Sequence, residues 1–570
     1  MVFRTVLLAL LLGTAAAEQS NTTSSQCRCM PSDPCWPTTS EWSHFNSTVG
    51  GRLIKTVPLA APCFDPNYNA ADCQYLRDEW TQPALHDASS SSIMAAAVAN
   101  ESCDPFAAST GTCRLGNMVS YAVNVSSPAE IAQTIAYAAE KNIRLVIRNT
   151  GHDYMGKSTG AGGLSIWTHH LKNITVHDYS SPHYTGPAVT IGAGVQGEEV
   201  YAALHKSNLI VVGGECATVG PAGGYTQGGG HSALSSHYGL AADQTLEWEV
   251  VDGQGRQLRA SPTENADLYW ALSGGGGGTY GVVTSMTVKV FPDFPTVGVV
   301  LEFAAQDASD LDPFYQAVEY YHSLVPSITA AGGMAIARVM NASFLLTPLT
   351  LPNATLQRAL DLLSPLTAKL DSLNITYAMN LTHSPSYVDH YNTLIEPNPT
   401  QLVENGQYGG KLIPLEVIEK SNANLTAAVR SITQDGAVFV SIALNVSAAV
   451  TGPTNNSVLP SWRTAAMDVI LSTSWPDHAN LGKMKQLADQ MTQKWVPTLE
   501  ALTSDPGCYM NEADPQQPNW KEAFYGPNYN RLLAIKKQYD PQDSFYAWTA
   551  VGSDNWVQEA DGRLCRATSS

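Results

Sequence analysis

The stretch "VIRNTGHDYMGKSTGAGGLSIWTHHL", residues 146–171, decides the reading of the fold. Two short apolar runs flank a loop of glycine and small polar residues that carries one histidine, His152. Runs this short, framed by glycine, are expected to be buried strands. Upstream, "SPAEIAQTIAYAAEKN" sets Ser127 and Pro128 ahead of an apolar face at Ile131, Ile135 and Ala138, which predicts a helix. The unit recurs in kind, with "AVTIGAG" as strand, "QGEEVYAALHKSN" as helix and "LIVVGG" as strand. A second glycine-rich loop follows, "GGECATVGPAGGYTQGGGHSALSSHYGLAAD" (213–243). Then "TLEWEVVDGQGRQL" reads as a hairpin around Asp252 and Gly253, and "NADLYWALSGGGGGTYGVVTSMTVKVF" as helix, glycine loop and strand.

Glycine-rich loops in consecutive units let main-chain N–H groups approach a large ligand without side-chain clash, as phosphate recognition requires. The nicotinamide fingerprint is absent, since no G-x-G-x-x-G follows the first strand with an acidic residue about 20 positions on. "GHDYMGKS" matches a nucleoside-triphosphate loop by letter. The glycine-rich "TGAGGLSIWT" after Lys157 predicts no helix there, so that reading fails.

The first residues, "MVFRTVLLALLLGTAAAEQS", pair one basic residue with an apolar run and small residues, the pattern of a cleaved secretory signal over 1–17. The run is shorter than the roughly 20 residues that a membrane span needs, and no later stretch is long enough. About a dozen N-x-S/T sequons, among them Asn46, Asn124, Asn341, Asn374, Asn380 and Asn445, lead us to expect N-linked glycans. Ten cysteines fit an oxidising compartment, and seven of them (Cys27, Cys29, Cys35, Cys63, Cys73, Cys103, Cys113) lie in a Pro- and Ser-rich segment, 18–114. This segment is expected to be a disulfide-stapled wrap, with no metal, because no second C-x-x-C or spaced histidines accompany it. Cys508 and Cys565 bracket the C-terminal segment and are expected to pair. A formal net charge of −19 argues against a nucleic-acid partner.

Taken together, "RNTGHDYMGKSTGAGGLSIWTHHL", the second glycine loop, "DLYWALSGGGGGTYGVVTSMTVKVFP" and "YGPNYNRLLAIKKQYDPQDSFY" resemble the four signature blocks of the berberine-bridge-enzyme-like branch of the vanillyl-alcohol-oxidase flavoprotein family. The cysteine-rich start and the closing "VGSDNW" resemble its secreted fungal members of the isoamyl alcohol oxidase type. The resemblance implies an α+β architecture: a two-subdomain, PCMH-type FAD-binding domain (115–295), a substrate domain with an antiparallel sheet covered by helices (296–500), and a C-terminal segment (501–570) returning to the FAD domain. In the middle region, 321–348 and 436–450 read as strands, and 351–373 and 480–502 as amphipathic helices.

The implied activity is a secreted FAD-dependent oxidase acting on a small organic alcohol, with dioxygen as acceptor and hydrogen peroxide as product. The alternatives are an oligosaccharide oxidase, a secondary-metabolite tailoring enzyme performing oxidative cyclisation, or a non-catalytic flavin-binding scaffold. His152 occupies the position of the histidine joined covalently to the flavin ring, which tethers FAD and raises its redox potential. Cys216 matches the cysteine that bonds a second carbon of the same ring in bicovalent members. Removing it from ten cysteines leaves nine, so one other thiol must be unpaired. Arg148, Asn149, Thr150, Gly151, Asp153, Ser158, Gly220, Gly223, Gly224, Gly228, Gly281 and Val283 are expected around the cofactor. Tyr225 stands where plant relatives often have histidine, and Asn528 matches a residue near the pyrimidine ring. Tyr525 and Tyr529 are the candidate catalytic phenols, as acceptors of a substrate hydroxyl proton.

Overall fold

The computed structural model describes residues 27–307, 310–397, 403, 406–475 and 481–567. The expected signal segment lies outside these. Ser127 caps the helix Pro128–Glu140, its hydroxyl accepting from the Glu130 N–H, and Pro128 occupies the first turn. The apolar face Ile131, Ile135 and Ala138 is buried against Val123, Leu145, Leu164 and Ile166 of a four-stranded sheet. In that sheet Leu53–Lys55, Tyr121–Asn124, Leu164–Trp167 and Leu145–Arg148 lie in that order, the last three parallel. Strand Leu53–Lys55 comes from the cysteine-rich segment, so the wrap is part of this sheet. Parallel neighbours need a crossover of a dozen or more residues. Here residues 149–163 make it without a helix, which lays the His152 loop across the carboxyl ends of the strands, where α/β proteins bind ligands.

A second, antiparallel sheet runs Ile174–Ser180, Thr185–Gly192, Gly281–Lys289, Thr245–Asp252, Gln257–Ala260. The "LIVVGG" run forms strand only at Leu209–Ile210, paired with Phe291–Pro292.

The third sheet has seven antiparallel strands: Tyr377–Ser384, Thr296–Ala304, Ser343–Pro352, Met334–Met340, Val438–Ala443, Ala465–Ser474 and Gly406–Pro414. Successive side chains point to opposite faces of a strand. Met467, Val469 and Leu471 therefore join the core under the helices Leu311–Ala330, Leu356–Ser372 and Leu415–Gln434. The alternate residues Ile470 and Ser472 face the other way, toward the flavin-binding half. One expectation is corrected: residues 321–330 are the end of a helix, because Tyr321, Val325 and Ile328 bury one helical face.

The disulfides are Cys27–Cys565, Cys29–Cys35, Cys63–Cys73 and Cys103–Cys113, leaving Cys216 and Cys508 free. The expected Cys508–Cys565 pair is thus wrong. The chain at Cys27 lies antiparallel to Cys565, with the Arg28 N–H donating to the Leu564 carbonyl at 2.7 Å and Arg563 pairing with Asp33. Cys508 is buried elsewhere, near Lys411. It is the second unpaired thiol that the odd count demanded. No helix among the described residues is long and apolar enough to cross a membrane.

Candidate active site

Three glycine loops, the 509–512 segment and one face of the seven-stranded sheet enclose a cavity of about 510 Å³, within the usual range for small-molecule sites. The first loop contributes Asn149 to Tyr154, Lys157 and Ser158. Asp153 shapes it, one carboxylate oxygen accepting from the Met155 N–H at 2.9 Å and the other from the Ser158 N–H at 3.0 Å. Gly151 has φ +91°, a left-handed backbone conformation that favours glycine, and a Cβ there would press on the Arg148 guanidinium. The second loop supplies Gly214, Glu215, Cys216, Val219, Gly220, Ala222 to Tyr225, Gln227 and His231, and the third supplies Gly277, Gly278, Gly281 and Val283. The Gln227 carbonyl accepts from the Gly274 and Gly276 N–H groups, which locks these two loops together.

Most of the residues expected around the cofactor line this one cavity: Asn149, Thr150, Gly151, His152, Asp153, Ser158, Cys216, Gly220, Gly223, Gly224, Tyr225, Gly281 and Val283. Arg148 lies beneath the loop, 1% exposed, donating to the His86 carbonyl. Gly228 abuts the side chain of the lining residue Asn511 and does not itself line the cavity. Tyr225 presents its ring only, since its hydroxyl donates to the His231 carbonyl at 2.7 Å. Neither Tyr525, Tyr529 nor Asn528 lines the cavity, which corrects their expected placement. The Tyr525 hydroxyl donates to the Thr549 carbonyl, the Tyr529 hydroxyl to Asp554, and Asn528 to the Ser457 carbonyl. Burial pushes both phenols above their ordinary range, so neither offers a phenolate.

His152 Nε2 lies 2.7 Å from Thr218 Oγ1, and Cys216 Sγ lies 3.7 Å from the same oxygen. Burial, with Arg148 and His86 nearby, pushes His152 down to about 4, so its imidazole is neutral. Burial also raises the Cys216 thiol, opposed by hydrogen bonds from Thr218 and Val219.

A second cluster was not read from the sequence. His231 Nε2 donates to Glu512 at 3.0 Å, and His231 Nδ1 lies 4.0 Å from Glu215 Oε1. Behind them Asp468, 1% exposed, hydrogen-bonds Glu512. Burial works against a charged His231, but Glu512, Glu215 and Asp468 outweigh it and push His231 up to about 10. Burial and the Glu512 charge hold Asp468 well above the usual carboxylate range, and burial raises Glu215. Tyr154, its ring tilted 41° to that of Tyr408 with centroids 4.3 Å apart, and Tyr509 complete the polar wall, while Ile336, Val440, Ile442 and Ile470 form the apolar one. The run "YMNE" (509–512), just after Cys508, was the available sequence signal for Tyr509, Asn511 and Glu512.

The donor set suits a flavin dinucleotide. A Cβ on Gly224 would meet nothing within 4 Å, and one on Gly278 nothing nearer than 3.9 Å, so main chain lines open space as a cradle. Asn149 Oδ1 is buried without a partner, an acceptor ready for a ligand donor.

Comparison with known proteins agrees. Residues 119–261 match the family described as FAD binding domain, and residues 508–552 the one described as Berberine and berberine like. The chain is 64% identical over 540 residues to the FAD-linked oxidoreductase patO of Aspergillus clavatus, covering 95% of this chain and 94% of that one. It is 39% identical over 581 residues to the bifunctional decalin synthase calF of Penicillium decumbens, covering 99% of this chain and 100% of that one. The crystal structure of the VAO-type flavoprotein MtVAO615 from Myceliophthora thermophila C1 superposes with a TM-score of 0.90 at 40% identity, covering 95% of this chain and 100% of that one. The cradle, the matched domains and the whole-chain relatives together make this chain a FAD-binding oxidoreductase of the berberine-bridge-enzyme-like branch of the VAO-type flavoprotein family.

Proposed function

We propose that the protein is an exported oxidase that takes a hydride from the carbinol carbon of a small organic alcohol and passes the electrons to dioxygen, giving hydrogen peroxide. Its flavin is held covalently through His152 and Cys216. The observation that carries this reading is one cavity holding both a neutral imidazole beside a thiol and a charged imidazole beside a carboxylate of raised proton affinity.

The flavin, when bound, supplies the two-electron acceptor. The protein's own work is on the proton. A carbinol must lose its hydroxyl proton as its carbon loses a hydride. His231 Nδ1 is buried without a hydrogen-bond partner, and as an imidazolium it donates to the oxygen on which charge develops. Glu215, beside that nitrogen, accepts the hydroxyl proton. Its raised affinity brings it toward the range where a carboxylate acts as a general base. Glu512, hydrogen-bonded to His231 Nε2 at 3.0 Å, keeps His231 charged throughout. The wall of Ile336, Val440, Ile442 and Ile470 excludes water from the reacting groups.

The test is anaerobic mixing of the purified holoprotein with alcohols, oligosaccharides and aromatic amines, followed by admission of air. Rapid bleaching by alcohols and peroxide on re-aeration are expected. Bleaching by another class alone moves the substrate assignment, and reduced flavin that survives in air makes the enzyme a dehydrogenase.

A second reading, tailoring of a secondary metabolite by oxidative cyclisation, is favoured by the similarity to a relative named as a decalin synthase. It would use the same proton acceptor. Export is supported by the signal-like start, four disulfides, and the exposure of the sequon residues Asn341, Asn374 and Asn380. Asn124 is an unpromising acceptor, because its Oδ1 is buried in a strand. Expression in a secreting host, followed by endoglycosidase treatment, should give protein in the medium that loses mass; protein retained in the cells counts against export.

A further inference from the structure

We propose that the Thr218 hydroxyl completes the flavin tether by carrying the Cys216 thiol proton to His152 Nε2. The proposal rests on the reading that both residues bond the flavin, and it names the device that makes the second bond possible.

Three observations carry it. Thr218 Oγ1 touches both groups, at 2.7 Å from His152 Nε2 and 3.7 Å from Cys216 Sγ. A hydroxyl both donates and accepts, so it can take a proton on one side as it gives one on the other. Thr218 is also held in place: its carbonyl accepts from Gln196 Nε2 at 2.9 Å, and that amide donates as well to Asp87 at 2.6 Å. The two partners have complementary needs. A thiol reacts only as thiolate, and the partial burial of Cys216 works against the thiolate, so the proton must have a nearby acceptor. The neutral His152 ring provides one. Main-chain N–H groups of Thr218 and Val219 also hydrogen-bond the sulfur and favour its anion.

The thiol proton passes to Thr218 Oγ1 as the hydroxyl proton passes to His152 Nε2. The thiolate adds to a ring carbon of oxidised flavin, forming the C–S bond and placing its electron pair in the ring system. The hydrogen on that carbon is released as a proton, leaving the ring two electrons richer. Dioxygen takes those two electrons with two protons, one from the thiol and one from the ring carbon, and leaves as hydrogen peroxide.

The experiment compares the full-length wild type with Thr218→Val, Thr218→Ala and Thr218→Ser. Each protein is denatured in acid and digested, and the His152 and Cys216 peptides are weighed for attached flavin. Wild type is expected to carry flavin on both. Thr218→Val should keep the His152 adduct, which shows a folded cradle, while its Cys216 adduct falls at least tenfold and the thiol becomes alkylatable; Thr218→Ala repeats the test should valine misfold. Thr218→Ser should restore the bond. Incubating Thr218→Val or Thr218→Ala holoprotein in air at alkaline pH, where the thiol ionises unaided, should restore it too. A full Cys216 adduct in Thr218→Val or Thr218→Ala overturns the proposal, as does failure of rescue by serine and by alkali. A wild type with no Cys216 adduct overturns the tether reading and the proposal together, whereas adducts on both residues in every variant overturn the proposal alone.

Discussion

Two histidines of one cavity, His152 and His231, are driven in opposite directions by their surroundings. His152 sits among burial, Arg148 and His86 and is pushed down to about 4. His231 is buried too, yet Glu512, Glu215 and Asp468 push it up to about 10. At neutral pH the first is a neutral ring with a lone pair to give, and the second a cation with protons to share. On the proposed function, the same side chain serves as nucleophile at one end and as electrostatic stabiliser at the other. The lesson is that residue type sets the repertoire and neighbouring charge selects from it.

The contrast can be broken first at the nucleophilic end. The double variant His152→Ala, Cys216→Ala should release all flavin into the acid-soluble fraction, read by absorbance of the supernatant, whereas Cys216→Ala alone should leave the colour in the pellet. Flavin retained by the double variant would move the tether to a different side chain.

The next effect lies at the proton-handling end. Glu215→Gln should lower the rate of anaerobic flavin bleaching by about 10²–10⁴-fold, the usual worth of a general base, with the covalent link intact. A rate within a few-fold of wild type would remove Glu215 from the mechanism.

Glu512→Gln sharpens the comparison by making His231 more like His152. The alkaline limb of the pH–rate profile, expected near 10 in wild type, should move to lower pH. Stability should follow the same group. His231 binds its proton more tightly folded than unfolded, so its contribution is full below about 6.5, the ordinary histidine value. That contribution is lost as pH rises through about 10. The melting-temperature advantage of wild type over Glu512→Gln should therefore be greatest at the acid end of this window and fade toward its alkaline end. An advantage independent of pH would show that Glu512 matters only for packing.

The smallest effect is expected at Tyr525. Its hydroxyl bonds the Thr549 carbonyl outside the cavity, so Tyr525→Phe should cost about 1 kcal/mol of stability, the typical value of one hydrogen bond, and leave the bleaching rate unchanged. A large loss of rate in stably folded protein would return this phenol to the chemistry.

The difference in legibility between the two histidines has a physical origin. His152 announces itself because its loop, its flanking strands and its glycines are contiguous, and the φ of Gly151 is a local demand. His231 also stands in a glycine run, but nothing beside it in sequence marks its charge. Its partner Glu512 is 281 residues away, and Asp468 comes from a strand of another sheet. The tyrosines are hard to sort for the same reason: among 24 in the chain, Tyr525 lies in a family-like block, and nothing local sets apart Tyr154 and Tyr509, which line the cavity. The misread strand at 321–330 reflects a buried apolar run whose helical period shows only once its packed face is known.

By itself the sequence determined the alternation of strands and helices around the glycine loops, the position of His152 after a buried strand, and the odd thiol that Cys216 leaves behind. These follow from backbone sterics, side-chain period and parity, which act over a few residues or over a simple count. Only the tertiary structure decided that Cys27 pairs with Cys565, that Cys508 is the second free thiol, that Thr218 stands between His152 and Cys216, and that Glu512 and Asp468 from distant segments join Glu215 of the same loop around His231. Disulfide pairing, hydrogen bonding and proton affinity depend on atoms a few ångströms apart in space, and the folded chain brings those atoms together from segments that share no local pattern.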